Sequence, residues 1–326
     1  MRVVIVGAGQ RRRTEASIAR AARALGHPSR LIDALGWRRR LGPLAPRLIR
    51  RLVDSFEPDF VILTHHAAAA GEAALQEMVR GRRAVFWYFD FKPTPNALML
   101  GRVAGTMRVT YLAQLDAYRA AGIPDVGFLP QGLDPEVDKP ARRFPARFRC
   151  DVSFVGSGQY PHRYDVLRAV AASCRLQIRG PGWEEAPHDL PVAGGAVYGR
   201  RFAQVIRGAA ISLGADSLPE QAEDQASASN RMWKIMGCGG FYLGPFVEGI
   251  ERMAQGGVHC AWYRGPAHAV ELVHEFLGDP ERRARVALAG RAHALAHHTY
   301  AHRVRLLLDG GAFEASDQVI PSGRRR

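Results

Sequence analysis

The 326-residue chain has few cysteines, almost no lysine and no long apolar run. Cys150, Cys174, Cys238 and Cys260 are scattered without a C-x-x-C or Cys/His metal spacing. Neither a disulfide framework nor a zinc module fits that spacing, and the expectation is buried, reduced thiols. No stretch of about 18 apolar residues exists, which removes a membrane-spanning helix from consideration. Val3 to Val6 read as a strand running into Gly7 and not as a secretory leader, so the expectation is a cytoplasmic protein, either free or peripheral at the inner face of the membrane. Lysine is confined to Lys92, Lys139 and Lys234, yet 45 basic residues face 31 acidic ones and the net charge is +14. The excess is arginine, clustered at Arg11 to Arg13, Arg38 to Arg40, Arg50-Arg51 and Arg324 to Arg326. Such a field favours acidic partners: nucleic acid, an anionic lipid surface or a phosphorylated substrate. The alternative is a bias toward Arg and Ala on solvated faces, and no nucleic-acid module pattern accompanies the charge.

With 47% hydrophobic side chains the chain can bury a large core, and its length suggests about two domains. Short β-branched runs alternate with amphipathic stretches, the pattern of βα units in a parallel sheet. In the first half the strands are Arg2 to Val6, Ser29 to Ile32, Pro58 to Thr64, Arg83 to Asp90, Met107 to Tyr111 and Val126 to Leu129. Helices are expected over Thr14 to Leu25, after Pro46, over Glu72 to Val79 and over Gln114 to Ala121. Gly7-Ala8-Gly9 suggests a dinucleotide fingerprint, but Arg12 stands where the third glycine is needed, which disfavours a nicotinamide or flavin site. Pro130, Pro135, Pro140 and Pro145 then punctuate a polar segment without apolar period, read as a linker over 136–149. The pattern restarts with Cys150 to Val155, the Gly156-Ser157-Gly158 loop, a helix over Arg163 to Ala172 and a strand over Leu176 to Ile178. A helix over Arg200 to Arg207 and a strand over Ala210 to Leu213 follow. A loop bearing Asp216, Glu220, Glu223 and Asp224 leads on, and Val258 to Trp262, Ala267 to Leu277 and Glu281 to His297 complete the pattern.

The stretch Ser227 to Gly244 organises the second half. Ser229 is a candidate N-cap, Met232, Ile235 and Met236 give an apolar face, and Gly239-Gly240 stops the helix before the strand Phe241 to Leu243. A helix N-terminus carrying Arg231 in its first turn, with Lys234 three residues on, suits an anion; the alternative is an ordinary surface helix. In the first half, strands deliver His65 and His66, and then Asp90, to the carboxyl edge of a parallel sheet. Ligands of such sheets gather at that edge, so His65 or Asp90 is a candidate general base. Each has a capping role as its alternative. His293, His297, His298 and His302 fall at helix-like spacings, but no acid accompanies them at matching spacing, and a metal site is not expected.

Asp151-Val-Ser-Phe-Val-Gly-Ser157, Ser229-Asn-Arg231 running to Gly239-Gly240-Phe241, Asp279-Pro280, and His298-Thr-Tyr300 with Arg303 form an ordered set. Over roughly Cys150 to Leu308 the set resembles the donor domain of GT-B glycosyltransferases, closest to the CgeB-like branch related to spore-maturation proteins. The resemblance implies an α/β fold of two Rossmann-like domains with a cleft between them. The expected division is 1–135 for the acceptor, 150–300 for the donor and 301–326 as a returning helix with a basic tail. It implies metal-independent transfer of a sugar from a nucleotide sugar, with no cofactor. Gly156, Ser157, Gly158, Ser229, Arg231, Lys234, Gly239, Gly240 and Tyr242 would then form the donor site, and Trp233 would be a lesser candidate beside the base. The family often places Glu where this chain has Lys234, so Glu248 becomes the candidate acid for ribose or sugar hydroxyls. The acceptor, an anionic or membrane-associated glycan in the reading that suits the charge, would enter from the first domain. Two other readings are a nucleic-acid-binding or -modifying protein and a catalytically inactive sugar- or nucleotide-binding scaffold.

Overall fold

The computed structural model describes residues 1–10, 13–185, 188–215 and 229–313. Arg11, Arg12, the acids Asp216, Glu220, Glu223 and Asp224, and the arginines of 324–326 therefore lie outside the described residues. The chain forms two compact units, one of residues 1–131 with 300–313 and one of residues 132–299.

The first unit is built on six parallel strands, β1 (Val3–Gly7), β2 (Ser29–Asp33), β3 (Phe60–Leu63), β4 (Arg83–Tyr88), β5 (Thr106–Val109) and β6 (Asp125–Phe128). Their order is β2-β1-β3-β4-β5-β6. Strands β1 and β3 are buried along their whole length, as β-branched and aromatic runs covered on both faces must be. The crossovers are α1 (Thr14–Ala24), α2 (Ala34–Leu41), α3 (Ala45–Asp54), α4 (Glu72–Val79), α5 (Pro95–Ala104) and α6 (Leu115–Ala120). The helix expected after Pro46 is α3, and α2 before it was not expected. Asp33 caps α2 by accepting from the Gly36 N–H, and Gly42 at φ 52° followed by Pro43 breaks the helix before α3 begins. Helix α5 was not expected at all, although Thr94 caps it through the Ala97 N–H and Pro95 occupies its first turn.

The second unit has the parallel strands β7 (Cys150–Val155), β8 (Leu176–Arg179), β9 (Val192–Gly194), β10 (Ala209–Leu213), β11 (Tyr242–Pro245) and β12 (Ala261–Tyr263), in the order β12-β11-β10-β7-β8-β9. Its helices are α7 (Tyr164–Ser173), α8 (Arg200–Gly208), α9 (Asn230–Gly237), α10 (Gly265–Gly278) and α11 (Pro280–His297). The proline-punctuated segment read as a linker belongs to this unit. Asp138 there is buried, and its carboxylate accepts from the Asp134 N–H at 2.9 Å. Helix α12 (Tyr300–Asp309) belongs to the first unit, where it packs on α1, and Arg303 donates from Nε to the Pro130 carbonyl at 2.9 Å. Burial pushes the Arg303 guanidinium down to about 9.

Both sheets are doubly wound. In the first the winding reverses between β1 and β3, and in the second between β7 and β10. The carboxyl ends of those strand pairs are where open α/β sheets leave a crevice for ligands.

Candidate functional sites at the two switch points

In the first unit, β1 ends at Gly7 and β3 at Leu63, and a short 3-10 helix over His65–Ala70 follows β3. Glu15, in the first turn of α1, is 4% exposed and turns its carboxylate back under this edge. It accepts from the Ala8 N–H at 3.2 Å and the Thr64 hydroxyl at 3.1 Å, and stands 3.8 Å from His66 Nδ1. On the other side of that ring, Arg13 lies 3.4 Å from Nε2. Arginine only donates, so Nε2 carries the lone pair and the ring proton sits on Nδ1, facing Glu15. Burial above all, with Arg13 and His65, lowers the His66 pKa, while Glu15 and Asp90 oppose the shift. At neutral pH the imidazole is therefore uncharged and able to accept a proton.

The two residues expected to be basic catalysts flank this pair differently. His65 sets its ring edge-on to His66 at 5.7 Å and near Tyr88 at 6.0 Å. Its Nδ1 is buried with no hydrogen-bond partner among the described residues. Asp90 is exposed just beyond β4, its backbone carbonyl held by Gln114 Nε2 at 3.0 Å. Its charge raises both the His66 and the Tyr88 pKa. Glu15 was not singled out in the sequence. The signal available was an acid among alanines on the inward face of α1.

The Gly7-Ala8-Gly9 turn does not present free donors. The Ala8 N–H is taken by Glu15 and the Gly9 N–H by Asp33 Oδ1 at 2.9 Å. A Cβ at Gly9 would lie 2.5 Å from that of Asp33. Glycine is needed there for the strand-end carboxylate.

The second unit repeats the motif with other chemistry. The Gly156 N–H donates to the Arg179 carbonyl and the Gly158 N–H to the Pro181 carbonyl, both at 2.9 Å. Two of the three loop N–H groups expected to cradle phosphate are thus spent on the neighbouring β8 end, and only Ser157 keeps its own. What the loop holds instead is arginine. Arg163 donates to the Ser157 carbonyl at 2.7 Å and stacks near Phe154. Arg231 donates to the Ala215 carbonyl, beyond the end of β10, at 3.2 Å. Its guanidinium carbon is 5.0 Å from the Phe154 ring centre, and one of its nitrogens is 2.8 Å from where a Gly156 Cβ would be. The Phe154 ring comes as close, at 2.7 Å, so Gly156 leaves room for the stacked pair of Phe154 and Arg231. Ser229 caps α9 by accepting from the Arg231 N–H, as its position suggested. A cavity of about 400 Å³ opens alongside, lined by Arg163, Ala215, Pro245, Phe246, Tyr263 and Arg264 among others. Arg264 lies over the Phe246 ring at 3.5 Å. Arg163 and Arg264 were not foreseen, because neither sits in a recognisable spacing.

Other expected donor residues sit elsewhere. Gly239, at φ 78°, and Gly240 end α9, whose eight residues place them about 12 Å along the axis from its first turn. The Gly239 N–H returns to the Met236 carbonyl and the Gly240 N–H to that of Ile235, while a Cβ at Gly240 would meet Ile206 at 2.3 Å. They are a helix stop and a packing contact at the amino end of β11. Tyr242 is 4% exposed, its ring edge-on to Trp262, and Trp233 is fully buried, stacked on His298 at 3.6 Å. Neither offers an open face for a base. Lys234 is half-buried, and its charge acts on the Cys238 thiol. Glu248 is exposed in the turn beyond the carboxyl end of β11.

Among the described residues no group of His, Cys, Asp or Glu is arranged to hold a metal ion. His293 and His298 both approach the Met253 carbonyl through Nε2, at 2.7 and 3.1 Å, and His259 stacks on His293 at 4.1 Å. The four cysteines are free, and burial pushes the Cys150 and Cys238 thiols up to about 12.

Residues 163–309 match a family model described as glycosyl transferase-like. A comparison with curated protein sequences gives no match. Similar solved structures include Anabaena Alr3699/HepE in complex with UDP-glucose, at TM-score 0.64 and 14% identity over 95% of this chain and 99% of that one. An alpha-glucosyltransferase (AGT) in complex with UDP superposes at TM-score 0.68 with 10% identity, over 95% and 99%. AviGT4, a glycosyltransferase involved in avilamycin A biosynthesis, gives 0.60 and 16%, over 96% and 100%. These likenesses establish the fold: two six-stranded parallel α/β units of the GT-B type.

Proposed function

We propose that the protein is a glycosyltransferase that takes a sugar from a nucleotide sugar bound at the β7/β10 switch point and passes it to an acceptor hydroxyl deprotonated by His66. The observation that carries the reading is the placement of Arg231, with Arg163 beside it, at the end of the winding reversal within the glycosyl transferase-like region. Glycosyl transfer makes a nucleoside diphosphate the leaving group, and its developing charge must be met by positive groups fixed in advance. Arginines seated on backbone carbonyls and an aromatic face are so fixed. In this reading they neutralise the diphosphate without a metal. Glu248 takes ribose or sugar hydroxyls, Ser157 contributes its N–H, and Lys234 has no direct contact with donor.

On the acceptor side, His66 Nε2 removes the hydroxyl proton once the acceptor displaces Arg13 from that nitrogen, and Glu15 stabilises the imidazolium that results. Asp90, exposed nearby, orients the acceptor or the ring, and His65 fills the space behind. A neutral imidazole held by a buried carboxylate supports an active enzyme over a binding scaffold, since simple binding requires no proton acceptor. The assignment to the CgeB-like branch is an inference from the ordered set between Asp151 and Tyr300.

Because similarly folded structures hold UDP or UDP-glucose, uridine nucleotides are the first donors to try. Ligand binding to the native state raises the unfolding midpoint by linkage. A panel of nucleoside diphosphates and nucleotide sugars should give such a shift for at least one base, unchanged by EDTA and lost in Arg231→Ala. No shift with any nucleotide, or a shift that the variant retains, would remove the donor assignment.

A further inference from the structure

We propose that α2, the turn after it and α3 form a docking surface for an anionic lipid bilayer. From Ala34 to Val53 the chain contains six arginines and no acid. Arg38, Arg39, Arg40, Arg47, Arg50 and Arg51 are all exposed. The opposite side of the two helices, Ala34, Ala45, Ile49 and Val53, is buried in the first unit, so the arginines share the outward side. Between the two helices the Gly42-Pro43 break pushes out an apolar tip, with Leu44 63% and Leu41 37% exposed.

The charge of this face is not neutralised from within. Among the described residues the side chains of Arg39, Arg47, Arg50 and Arg51 make no hydrogen bond or ion pair, Arg38 reaches only the Gly42 carbonyl, and Arg40 lies over Trp37. The nearest acids are already engaged. Asp33 caps α2, Asp54 pairs with Arg82 at 3.0 Å, and on the neighbouring α4 Glu77 pairs with Arg80 at 2.6 Å. Two exposed leucines on a tip that the arginines of α2 precede and those of α3 follow match an interface of anionic headgroups over hydrocarbon. The arginines gain Coulomb attraction at the headgroups and the leucines gain burial just beneath. A polyanion such as duplex DNA would satisfy the arginines only, and it gives the leucines nothing.

This surface does not depend on the transfer reading, and vesicle binding tests it directly. The purified protein should co-sediment with vesicles of phosphatidylglycerol and phosphatidylethanolamine and stay in solution with pure phosphatidylcholine. Salt at about 0.5 M should release it, as screening requires. Arg39→Glu/Arg47→Glu/Arg50→Glu should lower partitioning at least about 100-fold, from about fivefold per arginine. Leu41→Ser/Leu44→Ser should lower it roughly tenfold. A charge-matched control in the second unit, Arg142→Glu/Arg143→Glu/Arg201→Glu, should leave it close to wild type. All substituted positions are solvent-facing, and unchanged thermal midpoints verify the fold. Equal binding to neutral vesicles, an equal loss in the control, or indifference to the leucine substitutions would overturn the proposal. Tighter binding to duplex DNA than to anionic vesicles, unaffected by the leucine changes, would assign the face to nucleic acid instead.

Discussion

At the switch point of its first sheet the protein keeps a carboxylate and imidazoles, and at that of its second it keeps arginines. The backbone plan is the same in both: a buried first strand, a glycine turn, and a winding reversal that opens the carboxyl edge. In both, two of the turn's N–H groups are spent internally, on the carboxylates of Glu15 and Asp33 in one unit and on the carbonyls of Arg179 and Pro181 in the other. Topology therefore selects the place and leaves the chemistry to side chains. The first edge is suited to moving a proton and the second to holding an anion.

The largest expected effect tests the proton-handling half. His66→Ala should lower the transfer rate about a hundred- to ten-thousand-fold, the range of general-base removal, while leaving the nucleotide-induced thermal shift intact. If donor binding falls along with the rate, the division of labour is wrong. The converse variant, Arg231→Ala, should weaken nucleotide binding by about 2 kcal/mol, roughly 30-fold by titration calorimetry. It should not move the pH profile.

Glu15→Gln sharpens the comparison further. Because His66 has a lowered pKa, activity in the wild type should fall with acid along a limb whose midpoint lies below 6.5. Glu15 raises the His66 pKa, so its neutral replacement should shift that limb to still lower pH and reduce the plateau rate. A limb that stays in place would detach Glu15 from His66.

Acid stability distinguishes the units in another way. The second unit buries His259, whose pKa is lowered to about 4 by burial and then by His293 and His297, and it also holds His293 with a lowered pKa. The unfolded chain takes up protons from about 6.5 downward and the folded unit does not. The stabilisation present above 6.5 is therefore lost as pH falls toward 4. His259→Gln should flatten the thermal midpoint over that window, whereas a profile parallel to wild type would show the ring is not titrating there. The smallest effect belongs to the helix stop. Gly239→Ala should cost roughly 1 kcal/mol of stability, from its positive φ, without altering nucleotide binding.

The strands were the most legible part of the sequence, because β-branched runs buried on both faces have few alternatives. Strand β9 was missed since it is three residues long and two of them, Val192 and Ala193, are exposed, leaving no apolar pattern to read. Helix α5 was missed although Thr94-Pro95 is an N-cap followed by proline at the first helical position, because the same pair also suits a turn. The site was less legible, for a physical reason. Glu15 and Thr64 stand 49 positions apart and meet only because β1 and β3 pair, and no local spacing reports that. Glycine loops announce close approach without saying what approaches. At Gly156 it is the Phe154 ring together with a guanidinium, and at Gly240 it is an isoleucine.

The return of the chain to the first unit bears on the order in which the protein comes into being. Arg108 is buried on β5, and besides its pairing with Asp125 it donates to the carbonyls of Gly310 and Gly311 at 3.1 and 3.0 Å. A nascent chain therefore exposes an unfinished first unit throughout the synthesis of the second. At ordinary elongation rates that wait is on the order of ten to thirty seconds. The unit made first is therefore the one completed last.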